Sequence, residues 1–79
     1  MTEVVHISSL LLRADPQKMD QILEEIATIE MAEVPVADPS GKIIVTLETE
    51  NQGKIVEALT QLQLLDGVVN ASLVYHQTD

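Results

Sequence analysis

Apolar residues recur along this chain with two alternating periods. Val4-Val5-His6-Ile7-Ser8-Ser9-Leu10-Leu11-Leu12 is rich in branched residues, which predicts a first strand from Val4 to Leu12. Asp15-Pro16 closes it, with Asp15 suited to cap a helix and Pro16 to its first position, where no N–H is needed. The period then becomes helical over about 16–30. Met19, Ile22, Leu23, Ile26 and Ile29 share one face, while Lys18, Gln21, Glu24, Glu25 and Thr28 take the solvent side. Glu33-Val34-Pro35-Val36-Ala37-Asp38 alternates weakly around a proline that cannot donate to a ladder, so it reads as an edge or irregular strand. Asp38-Pro39-Ser40-Gly41-Lys42 suits a hairpin turn, and Ile43-Ile44-Val45-Thr46-Leu47-Glu48 follows as a third strand. Asn51 is the next N-cap candidate. Ile55, Ala58, Leu59, Leu62 and Leu65 repeat at helical spacing, and Asp66-Gly67 ends that helix. A fourth strand runs from Val68 to about His76, leaving Gln77-Thr78-Asp79 as a frayed tail.

The order is βαββαβ over one domain, 1–79. Right-handed crossovers that interleave give a four-stranded antiparallel sheet, order 4-1-3-2, with both helices on one face: an α+β, ferredoxin-like architecture. The proline-bearing strand then falls on an edge. Alternation assigns Leu10, Leu12, Val34, Val36, Ile43, Val45, Leu47, Ala71, Leu73 and Tyr75 to the core face. It leaves Ile7, Ser9, Leu11, Arg13, Ile44, Thr46, Glu48, Val68, Asn70, Ser72 and Val74 on the other. An uncovered antiparallel face is normally polar. Here it carries aliphatic side chains and small hydroxyls, with charge towards its rim. A contiguous patch of that kind marks an interaction surface: a groove for an apolar, helical peptide, or a weak homodimer contact.

Composition narrows the partners. Thirteen acidic residues face four basic ones, a net charge of −9, so the basic footprint that neutralises nucleic-acid phosphates is missing. A partner with a basic segment would instead be drawn in. There is no cysteine, hence no disulfide and no thiolate chemistry. No apolar run approaches the ~20 residues of a membrane span, and the N-terminus lacks a basic stretch followed by a cleavage site; the expectation is a soluble cytoplasmic protein.

Candidate chemistry is thin. His6 and His76 are expected to be cross-strand neighbours, but two histidines without a third ligand do not make a metal site. Glu24 and Glu25, adjacent on a helix, lie about 100° apart and do not form an acid/base pair. Ser8-Ser9 has no nearby base and no nucleophile-elbow glycines, and neither phosphate-binding glycine motif occurs. No enzyme and no cofactor is expected.

Three stretches carry a resemblance: Ile7-Ser8-Ser9-Leu10-Leu11-Leu12, Ser40-Gly41-Lys42-Ile43-Ile44-Val45, and Gly67-Val68 through Ser72-Leu73-Val74-Tyr75-His76-Gln77. Together they resemble NapD, the assembly chaperone of the periplasmic nitrate reductase catalytic subunit, over essentially the whole chain. The Ser-Leu-Val-Tyr-His ending is the most specific part. One departure is Met31-Ala32, where family members tend to carry a glycine. The resemblance implies a cytoplasmic chaperone that binds the twin-arginine signal peptide of the nitrate reductase precursor. It would delay export until the molybdenum cofactor and iron–sulfur cluster are inserted into that partner. In that family the peptide docks as a helix on the open sheet face. Carried onto this sequence, the contacts are Ile7, Ser8, Ser9, Leu11, Arg13, Ile44, Thr46, Ser72 and Val74, with Glu48 and Glu50 as candidates to meet the arginines. The alternative is a small-ligand regulatory domain of the same fold. Such domains usually place glycines after the first strand, where this chain has Asp15-Pro16-Gln17.

Overall fold

The computed structural model describes residues 5–78. The elements run β1 (His6–Ala14), a 3-10 turn (Pro16–Lys18) leading into α1 (Met19–Ala27), β2 (Ala32–Asp38), β3 (Lys42–Thr49), α2 (Gln52–Gln63) and β4 (Val68–Thr78). The strands pair antiparallel in the order β2-β3-β1-β4, which is the expected ferredoxin-like sheet with β2 on an edge. The first-strand start at Val4 and the tail residue Asp79 lie outside the described residues. Gln77 and Thr78, expected to fray, instead extend β4, because Ile7 and His6 supply ladder partners for them.

Local chemistry sets the element ends. The Asp15 carboxylate accepts the Gln17 N–H at 3.0 Å, capping the turn that opens the first helix. That helix ends at Ala27, short of the expected 30. The Thr28 N–H closes on the Glu25 carbonyl and the Ile29 N–H on that of Ile26, while the Thr28 hydroxyl donates to the Glu25 carbonyl at 2.7 Å. Met31 and Ala32 have negative φ, so the turn into β2 needs no glycine. Asn51 caps α2 as expected, its side chain accepting the Gly53 N–H at 2.9 Å.

The two positive-φ glycines both brace the end of β1. Gly41 (φ 106) accepts the Ala14 N–H at 2.8 Å, and a Cβ there would run into the Ala14 carbonyl. Gly67 (φ 94) accepts the Asp15 N–H at 2.8 Å. Beside it the Lys18 ammonium donates to Asp66 at 2.8 Å, tying the start of α1 to the entrance of β4.

The core lies between the helices and one sheet face. Leu10, Leu12, Ile43, Val45, Leu47 and Ala71 come from the sheet, and Met19, Ile22, Ile26, Ile55, Ala58 and Leu62 from the helices. The β1–β3 register is unbroken from His6↔Thr49 to Arg13↔Lys42, so alternation holds on those two strands.

Bulges break alternation on the two edge strands. Glu33 pairs with Thr46 but Val36 with Ile44, so three steps on β2 face two on β3 around Pro35. Val36, expected in the core, is therefore handed to the open face, where it is 48% exposed, while Val34 still packs on the core. On β4, the pairs Ala14↔Val68 and Arg13↔Asn70 leave Val69 as an extra residue, and Leu10↔Leu73 and Ser9↔Tyr75 leave Val74 as another. Val68, expected outside, thus lies opposite Ala14 and packs against the core. Tyr75, expected in the core, lies opposite Ser9 on the open face.

Candidate peptide-docking face

Cross-strand partners project to the same face of a sheet. The register therefore assembles the uncovered side as rows running across the four strands. The row nearest the hairpin turn is Asp38, Lys42, Arg13 and Asn70. The next is Val36, Ile44, Leu11 and Ser72, and the third is Glu33, Thr46, Ser9 and Tyr75. Glu48 and Ile7 begin the fourth. Lys42 to Glu48 spans six residues of β3, about 20 Å, and four strands are roughly 15 Å across. That area accommodates one helix of about 14 residues, whose diameter is ~10–12 Å.

Most of the expected contact residues come together here. Ile7, Ser9, Leu11, Ile44 and Thr46 are partly buried beside one another, with Arg13, Glu48 and Ser72 more exposed around them. Val74, the extra residue of the second β4 bulge, is exposed at the margin. Ser8 does not belong to the face. It shares the parity of Leu10 and Leu12, points under the helices and is fully buried. Glu50 is exposed but lies beyond the end of β3. Alternation misassigned Val36 and Tyr75, which the bulges bring to the face, whereas Glu33 precedes the β2 bulge and faces out by regular alternation with Val34. Pro35 was the one signal in the sequence for Val36.

The middle of the face is apolar, and its ends differ in charge. Lys42 and Arg13 stand at one end beside Asp38. That carboxyl is held below its usual range mainly by the Ser40 backbone N–H, which it accepts at 2.9 Å, with help from the Lys42 charge. At the other end Glu30, Met31, Glu33, Thr46 and Glu48 line a shallow depression of about 130 Å³. Glu30 also borders a second depression with Lys54, leaving Glu33 and Glu48 to set the sign of this end.

Roomier depressions lie on the helix side. One of about 510 Å³ is lined by Leu23, Ile26, Ala27, Ala32, Val34 and Ala37, and another of about 420 Å³ by Glu25, Thr28, Ile29, Gln61, Leu64 and Leu65. Only Glu25 among these residues is ionisable, so no acid/base pair converges in either. The histidines lie on adjacent strands offset by two positions, His76 opposite Ser8 and His6 opposite Thr78. Among the described residues no three His, Asp or Glu side chains gather in a way that holds a metal ion. No helix of the described residues is long and apolar enough to cross a membrane.

The model of the NapD protein family matches residues 5–79. The chain belongs to the NapD family. It is 33% identical over 75 residues to a Haemophilus influenzae protein named Chaperone NapD, covering 94% of this chain and 81% of that one. It is 31% identical over 74 residues to Chaperone NapD of Escherichia coli K12, covering 92% and 85%. The solution structure of the E. coli Tat proofreading chaperone protein NapD superposes with a TM-score of 0.83 at 31% identity, over 92% of this chain and 78% of that one. The NapD relatives are thus named as chaperones rather than enzymes, and the fold read from periodicity is the fold of a solved family member.

Proposed function

We propose that this chain is a cytoplasmic chaperone for the twin-arginine signal peptide of the periplasmic nitrate reductase catalytic subunit precursor. Holding that peptide keeps the precursor from export until its molybdenum cofactor and iron–sulfur cluster are in place. The observation that carries the reading is the uncovered sheet face, with Leu11, Ile44, Val36 and Tyr75 forming an apolar strip between charged ends. A twin-arginine peptide has a basic end and an apolar stretch, and a helix formed from it buries that stretch against such a strip. The protein's charge of −9 speeds its encounter with the basic end. Family membership supports the same reading through the E. coli relative, which is described as a Tat proofreading chaperone.

The fold also serves domains that bind metabolites at a dimer interface. Here the segment after β1 is spent on the Asp15 cap and the Pro16–Lys18 turn, without the glycines such ligand loops use. A second copy of the chain is the other competitor for the open face, and two bodies of charge −9 repel each other.

Calorimetric titration with the synthetic signal peptide tests the proposal. Micromolar or tighter binding is expected, and Ile44→Glu is expected to weaken it at least tenfold while the variant still melts cooperatively. Absence of binding at micromolar concentrations overturns the reading. So does an Ile44→Glu variant that binds like the parent.

A further inference from the structure

The docking reading leaves open which way the peptide lies, and the charges on the face decide between the two directions. Along the strand axis the open face runs from Lys42 and Arg13, past Ile44, Leu11 and Val36, to Glu33 and Glu48. Glu48 stands about 20 Å from Lys42, twice the Debye length at physiological salt, and Glu33, in the Thr46 row, about 13 Å from it. The acidic and basic groups thus each act mainly on their own end of a bound segment. A helix carries about half a positive charge at its N-terminus and half a negative charge at its C-terminus. A bound helix is therefore favoured with its N-terminus over Glu33 and Glu48 and its C-terminus over Arg13 and Lys42. Basic side chains that precede the apolar stretch of the peptide reinforce this direction. Asp38 tempers the basic end without reversing its sign, since Lys42 and Arg13 both share its row.

We propose that the face is a polarised dock. It binds one apolar helix of about four turns, basic residues first, with the N-terminal end over Glu33 and Glu48 and the apolar turns over Ile44, Leu11 and Tyr75. This rests on the docking reading above and adds the direction of the peptide and the residues that impose it. The same polarity disfavours a second copy of the chain lying parallel on this face, because acid would then meet acid.

The test uses the full chain labelled with nitrogen-15 and the synthetic twin-arginine signal peptide carrying a nitroxide at one end or the other. The N-terminal label is expected to broaden the amides of Glu33, Thr46 and Glu48 more than those of Arg13 and Lys42, and the C-terminal label the reverse. The opposite pattern, or equal broadening of both ends by both labels, overturns the direction and leaves the docking reading standing. Broadening confined to α1 and α2 overturns both. A second arm uses the Glu33→Gln, Glu48→Gln double variant. It should lose between about 2-fold and 25-fold in affinity for the native peptide, the range for two exposed charge pairs. It should lose no more than twofold for a peptide whose two arginines are glutamine. Equal losses for both peptides would show that the glutamates do not meet the arginines.

Discussion

Leu10 and Leu11 are neighbours of the same type that face opposite layers, and truncating each in turn separates folding from docking. Leu10 is fully buried, flanked across the ladder by Val45 and on the other side by Leu73, with the helices above it. Removing three carbons there leaves a cavity in a core of few large residues, and Leu→Ala at such sites costs about 2–5 kcal/mol. A domain of this size holds roughly 4–12 kcal/mol in total. The expected drop in Tm is about 8–40 °C, enough to unfold the variant at the upper end. Leu11 is only partly buried between Ile44 and Ser72 on the uncovered side, so its truncation exposes little that was hidden. The expected cost is about 1 kcal/mol or less, a fall in Tm of at most ~8 °C. In the complex the order reverses, because Leu11 sits at the centre of the apolar strip. A central contact of that kind is worth more than ~1 kcal/mol, hence a loss of fivefold or more in affinity. Thermal melts by circular dichroism and peptide titration of the two variants supply the four numbers. Equal destabilisation would place Leu11 in the core and refute the face assignment. Unchanged affinity for Leu11→Ala would remove it from the dock.

Other perturbations test the frame that presents the face. Gly41→Ala should lower stability by more than ~1 kcal/mol in a urea titration, since positive φ and the Ala14 carbonyl both oppose a Cβ. The Lys18 pKa is raised, first by its hydrogen bond to Asp66 and then by that carboxylate's charge. Its contribution is fully present below pH 10.5 and is lost as pH rises through the higher folded value. Lys18→Met should therefore flatten the fall in Tm above pH 10.5 that the parent shows. The Asp38 carboxyl behaves in the opposite sense: its lowered pKa gives stability that is present above pH 3.8 and lost as pH falls through the folded value. Asp38→Asn should lessen that acid-side loss of Tm.

The elements and their order were legible because each boundary is written in local chemistry. The Asp15 and Asn51 caps, Pro16 and the shift from period two to 3.6 fix six elements whose pairing has one economical arrangement. Face assignment followed on β1 and β3, where the ladder is regular and Leu10, Leu12, Ile43, Val45 and Leu47 alternate with their outward neighbours. It failed on β2 and β4 for a physical reason. Alternation assumes one residue per pleat, and a bulge inserts one more, so every side chain beyond it changes face until another bulge restores the phase. Pro35 announced the first bulge by lacking an N–H. The bulges at Val69 and Val74 sit among aliphatic residues that fit either face, so nothing local marks them, and Tyr75 was misplaced in consequence. Ser8 entered the expected site with Ser9 through the family resemblance, although the two point to opposite sides of β1.

The central claim is that the uncovered sheet face receives the signal peptide, and an amide chemical-shift map of the full chain titrated with that peptide tests it most directly. The account predicts the largest changes at Ile7, Ser9, Leu11, Ile44, Thr46, Ser72 and Tyr75, with the outer surfaces of α1 and α2 near their free values. Changes concentrated on the two helices, with the open face silent, would contradict it.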